Sequence, residues 1–122
     1  MSRRKRDDRG AVMVEFAIVL PVLLLILLGI IEFGRAYNAQ VSIQAAAREG
    51  ARELALRHSS TAVESATRDG APSVTIDGIA QTPCPATGDG KATVKITEKY
   101  EFFALPFGPL NLKATGVMRC GL

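Results

Sequence analysis

The chain has 122 residues, 48% of them hydrophobic, with two cysteines, one histidine and a formal net charge of +3. That length leaves room for one small domain beside any membrane segment and argues against a large catalytic cleft. The basic excess lies wholly in residues 1–10, where Arg3, Arg4, Lys5, Arg6 and Arg9 outweigh Asp7 and Asp8, while the rest carries ten basic and ten acidic side chains. Such a head is a topology marker that holds the N-terminus in the cytoplasm, and it excludes the basic stripe of a nucleic-acid binder.

Residues 1–10 read as a charged, unstructured leader closed by Gly10. From Ala11 to Ile31 there are 21 residues with a single charge, Glu15. As a helix they rise about 30 Å, the hydrocarbon thickness of a bilayer, so the run predicts a membrane-spanning helix. A cleaved secretory signal fits less well, because the run is long and ends in Ile30, Ile31, Glu32 and Phe33 without a small-residue cleavage site. An acid inside the span is costly and needs a partner, which makes Glu15 a candidate functional residue. Pro21 cannot donate to the carbonyl of Ala17, so a kink is expected there.

Helical periodicity continues to about Arg57, giving 47 residues from Ala11 and a rod of roughly 70 Å. Ile43, Ala46, Ala47, Gly50, Ala51 and Leu54 share one narrow face built mostly of small side chains. Small residues at this spacing favour close backbone approach, so Ala46, Ala47, Gly50 and Ala51 are expected to pack against neighbouring helices and against the chain's own domain. His58 follows at the helix end, where the C-terminal dipole favours a solvated, partly charged imidazole over a catalytic or metal-binding one.

Residues 59–122 read as a small α+β domain. Thr61 and Glu64 have capping-box spacing for a short helix ending at Gly70, with Pro72 beyond it. Period-two alternation begins near Ser73, with Val74 and Ile76 on a strand and a turn or bulge at Asp77 and Gly78. Gln81 to Gly90, rich in proline and glycine, reads as a loop. Lys91 to Phe103 is the clearest strand: Ala92, Val94, Ile96, Tyr100 and Phe102 share a face, and Glu98 alone violates it. Leu105 to Pro109 must bend. Leu110 to Arg119 is a last strand, with Gly116 as a possible bulge. The cluster Phe102, Phe103, Leu105, Phe107 and Leu110 could form an exposed partner site, but it is expected in the core, since most such clusters in a small domain are. The fold class is therefore α+β, a long N-terminal helix followed by a small antiparallel β domain.

Cys84 and Cys120 lie in the part that topology places outside the cytoplasm, where a disulfide is favoured. Its large loop would stabilise the domain by about 3 to 4 kcal/mol. Their separation, with no histidine close by, argues against a metal site. The sequence shows no phosphate-cradling glycine loop, nucleophile elbow or metal-ligand cluster, so neither enzymatic activity nor a cofactor is expected.

Gly10, Ala11, the apolar Val12, Met13 and Val14, and then Glu15 and Phe16 resemble the processing site of type IV prepilins. The longer run from Glu15 and Phe16 through Pro21, the pair Glu32 and Phe33, Gly34, Arg35 and the Ala46 to Arg52 segment (AAREGAR) is similar to the TadE-like family of the tight adherence (Flp) pilus system. The resemblance is close over about residues 9–57 and loose beyond. It implies cleavage by a prepilin peptidase between Gly10 and Ala11, making Glu15 the fifth residue of the mature chain. It also implies a second pseudopilin, the inner-membrane assembly platform and the pilus as partners. The major Flp pilin is a poorer fit, since its mature subunits are much shorter.

After cleavage, Ala11 carries a new ammonium group that a carboxylate at Glu15 would neutralise. The pairing can lie within one helix or between subunits; the resemblance points to the second, and the residues leave both open. The expected role is a pseudopilin or minor pilin, single-pass in the cytoplasmic membrane, with its domain outside. The rival reading is an uncleaved anchored module whose β domain binds an extracytoplasmic ligand, in which Gly10 and Glu15 would be incidental.

Overall fold

The computed structural model describes residues 2–57 and 59–121. One helix dominates: α1 spans Ser2–Arg57 with Pro21 inside it. The expected unstructured leader is instead helical from Ser2, as the good intrinsic propensity of Arg and Lys allows. His58 lies outside the described residues.

A second helix, α2 (Ser60–Gly70), is capped by Ser59, whose Oγ accepts from the backbone N–H of Ala62 at 3.4 Å. Ser59 thus takes the capping role expected of Thr61. Glu64, the expected box partner, accepts instead from the Arg68 guanidinium at 3.2 Å. Three antiparallel strands follow, β1 (Gly78–Thr82), β2 (Lys91–Tyr100) and β3 (Leu110–Arg119), in the order β1-β2-β3.

Two strand expectations need correction. The stretch 73–76 does not pair; the carbonyl of Ile76 accepts from Arg68 at 3.2 Å, and the ladder begins only where Asp77 N–H donates to Thr97 O at 3.2 Å. The first strand then covers Gly78–Thr82, beginning where a turn was expected. It is a weak β-former by composition, and the free edge of β2 imposes its pairing. Gly116 is no bulge: it pairs with Val94 in an unbroken register from Lys91↔Arg119 to Tyr100↔Leu110.

The reason for Gly116 lies on the helix. A Cβ there would overlap the Ala47 carbonyl, so the backbones of α1 and β3 touch directly. The same close approach recurs at Gly70, whose Cβ would lie 3.1 Å from the Ala46 Cα, and at Gly50, whose Cβ would strike Thr67 Oγ1. The small-residue stripe is thereby explained. Ala46, Ala47 and Ala51 have no exposed surface, and with Ile43 and Leu54 they form the floor of the core under Ala92, Val94, Ile96, Leu112 and Ala114. The whole stripe is covered by the chain's own α2 and sheet, which leaves no surface on it for a neighbouring helix.

β3 and α1 advance in the same direction. Gln40 Nε2 donates to Lys113 O and Gln44 Nε2 to Thr115 O, both at 2.9 Å, which satisfies two carbonyls of an edge strand. At the far end, Cys84 and Cys120 are bridged, with Cα atoms 5.9 Å apart. The bridge ties the end of β3 to the loop before β2, and Cys120 N–H donates to Gly90 O at 2.9 Å. The β2–β3 connection, residues 101–109, lies at the opposite end, beside Glu32.

Candidate functional site

Among the described residues, nothing covers α1 from Asp8 to Ile31. Sixteen large apolar side chains between Val12 and Ile31 are exposed, and they lie all round the helix. Even half-exposed, such a set forgoes on the order of 20 kcal/mol of burial, more than the roughly 5 to 15 kcal/mol by which a domain is stable. Water is therefore the wrong solvent for this segment, and α1 is long and apolar enough to cross a membrane.

Gly10 and Ala11 stand exposed at the start of this bare segment, and a Cβ on Gly10 would meet no atom. Glu15 lies one turn past Ala11, is exposed, and makes no ion pair or hydrogen bond among the described residues. Pro21 lies six residues further on, with helix on both sides. Along α1 the packing residues Ala46 to Ala51 begin roughly 50 Å from Gly10. The structure therefore divides the expected residues into two groups, one at the bare end and one in the folded domain, and does not bring them together.

The border between the two is Glu32. It is the first buried side chain of α1 among the described residues, only 2% exposed, and directly follows the apolar run. One oxygen faces the Arg35 guanidinium at 3.6 Å and the other accepts from the Phe103 backbone N–H at 2.9 Å. Glu32 thus fastens the β2–β3 connection to the helix. β2 ends at Tyr100, earlier than expected, because Phe102 turns toward α1, where its ring meets those of Phe33, Tyr100 and Phe107 at 5.8, 5.5 and 6.0 Å. The aromatic cluster is not core as expected: Phe103 is 87% exposed and Phe107 65%. The run is too short, and too broken by Pro106, Gly108 and Pro109, to fold back over the sheet. Sequence reasoning assigns Glu32 no task beyond its place in a motif; the signal for it is an acid standing alone at the end of an apolar run.

A second polar feature lies just above. A cleft of about 270 Å³ is lined by Arg35, Asn38, Ser73, Thr75, Glu98 and Tyr100, among others. Glu98 is 7% exposed, and its Oε2 and the Tyr100 hydroxyl find no hydrogen-bond partner among the described residues. Burial, and then the charge of Asp77, push the Glu98 carboxyl above the usual carboxylate range. Among the described residues, no group of three or more His, Cys, Asp or Glu is placed to hold a metal ion.

Residues 10–52 match the family model of TadE-like proteins. No curated protein and no solved structure matches the chain. The match begins at Gly10, runs through the whole bare helix and Glu32, and ends within the buried stripe. Over residues 10–52 the chain carries a TadE-like segment, in which one helix serves first as an apolar rod and then as the floor of a small α+β domain.

Proposed function

We propose that the protein is a pseudopilin or minor pilin that a prepilin peptidase cleaves between Gly10 and Ala11, and that it supports or initiates assembly of a tight adherence pilus. Its role is structural, not catalytic. The observation that carries this reading is the bare apolar helix inside the TadE-like segment, opened by Gly10 and bearing Glu15 as its only charge.

On this reading the chain has three parts: a cytoplasmic leader at 1–10, a transmembrane and extended helix at 11–58, and an extracytoplasmic domain at 59–122. The basic leader supports a cytoplasmic N-terminus. Cleavage frees the Ala11 ammonium, and the unpartnered Glu15 carboxylate is its counter-charge, from a neighbouring subunit or from the same helix. Its partners are the peptidase, a second pseudopilin, the inner-membrane platform and the pilus.

The test is the N-terminus of the protein purified from its native membrane, read by mass spectrometry beside Gly10→Ala. A chain starting at Ala11, with the control uncut, supports the reading. An intact leader in cells with an active peptidase refutes it and leaves an uncleaved, membrane-anchored binding module.

A further inference from the structure

We infer that the β2–β3 connection, residues 101–109, is a second membrane contact: Phe103 and Phe107, with Phe33 of α1, rest in the headgroup region of the bilayer that α1 crosses. This rests on the reading of residues 11–31 as the span.

The height of the connection follows from the helix. Twenty-one residues from Ala11 to Ile31 rise about 31 Å against a hydrocarbon core of about 30 Å, so Glu32 stands at the boundary and Phe33 just beyond it. Every residue of α1 from Asp8 to Ile31 except Gly29 is exposed, so the folded domain begins at that same level. The connection is tied there twice, by the Phe103 N–H on Glu32 and by the Phe102 ring on Phe33.

Its composition suits lipid better than water. From Phe102 to Leu112 there is no charged residue, and four of the chain's five phenylalanines gather at this rim. Three of them are exposed, Phe33 at 57% beside Phe103 and Phe107. Pro106 and Pro109 have no N–H to leave unsatisfied, which lowers the cost of putting loop backbone near the acyl chains. Apolar and aromatic side chains of interfacial segments settle about 5 to 10 Å into the headgroup and acyl boundary, a depth these rings reach from Glu32's level. The occupant of the patch is thus the lipid that α1 itself brings alongside. Two points of contact fix the rotation of the domain about α1, which one helix alone leaves free.

The chain contains no tryptophan, so single reporters are clean. Phe103→Trp and Phe107→Trp, with Leu24→Trp in the span and Thr87→Trp in the distal loop, are reconstituted as full chains in phosphatidylcholine vesicles. Lipids brominated near the carbonyls should quench tryptophans 103 and 107, which acrylamide should barely reach. Lipids brominated deep in the chain should quench tryptophan 24, and acrylamide alone tryptophan 87. If tryptophans 103 and 107 behave like 87 while 24 is quenched by lipid, the loop contact is overturned and the span stands. If 24 is also untouched by lipid, the span fails and the contact with it. Protection of 103 that ignores brominated lipid and grows with the protein-to-lipid ratio assigns the patch to a second copy and refutes the inference.

Discussion

The contact between Gly116 and the α1 backbone makes the sharpest demand on the fold. An added Cβ there meets the Ala47 carbonyl and the Arg48 N, which are backbone atoms, so no rotamer change relieves it. Overpacking costs about 1 to 3 kcal/mol when neighbours can move, and a backbone obstruction belongs at the upper end. Alanine gains less than about 1 kcal/mol in a strand over glycine, so the clash decides the sign. Gly116→Ala should therefore lose about 2 to 3 kcal/mol, a fall in Tm of roughly 10 to 20 °C for a domain of this size. Gly50→Ala provides the contrast, because its chief obstruction is a side-chain atom, Thr67 Oγ1. In a Thr67→Ala background most of the Gly50→Ala cost should vanish, a coupling of about 1 to 2 kcal/mol, whereas Ala47→Gly should rescue none of the Gly116→Ala loss. The assay is thermal unfolding of the full chain in detergent, followed by circular dichroism and completed as a double-mutant cycle. A Gly116→Ala protein that melts within a few degrees of wild type, or rescue by Ala47→Gly, would refute direct backbone contact between α1 and β3.

Two further outcomes follow from the domain. The Cys84–Cys120 bridge closes a loop of 36 residues, worth about 3.8 kcal/mol in the chain-entropy treatment, so Cys84→Ser with Cys120→Ser should lower Tm by about 15 °C or more. The check is a melt with and without reductant; a wild type indifferent to reductant contradicts it. The Glu98 carboxyl titrates higher folded than unfolded, so its penalty on stability is absent below the unfolded value of 4.5 and grows as pH rises from there through the folded pKa. Glu98→Gln should therefore raise Tm at pH 7, with the gain disappearing below the unfolded value. An equal gain at both pH values would assign it to packing.

What the sequence made legible was whatever repeats. The 3.6-residue period of α1, the small-residue stripe and the alternation of β2 and β3 all reappear, and β3 has the expected bounds, Leu110–Arg119. The lone acid on the β2 face, Glu98, is buried as that alternation requires. What failed was non-repeating. Ser59 and not Thr61 caps α2, accepting from the Ala62 N–H, because a capping hydroxyl two residues earlier starts the helix sooner and box spacing alone does not choose between the two. β1 is chosen by a partner edge, not by its own residues. Gly116 looked like a bulge because strand glycines often are one; its true constraint, the Ala47 carbonyl, sits 69 positions away in the sequence. The phenylalanine cluster departs from the rule that such clusters are core because its run is short and broken by Pro106, Gly108 and Pro109, which leaves Phe103 and Phe107 exposed.

The same change of solvent decides where a neighbouring subunit can dock. In the stripe of Ala46, Ala47, Gly50 and Ala51, close approach is already used by β3 and α2, and inserting another helix there would mean unpacking the core. On the proposed function, contacts along an assembled filament therefore fall to residues 11–31 and to the outer surface of the domain. In the bare segment van der Waals packing discriminates poorly among registers, since Leu, Ile and Val recur at nearly every step. A charge marks one axial position in such a rod, and Glu15 is the one charged side chain from Ala11 to Ile31. On that reading Glu15 sets axial register where its partner is the Ala11 ammonium of a neighbouring subunit, whereas the fold, whose buried side chains on α1 begin at Glu32 among the described residues, is indifferent to it.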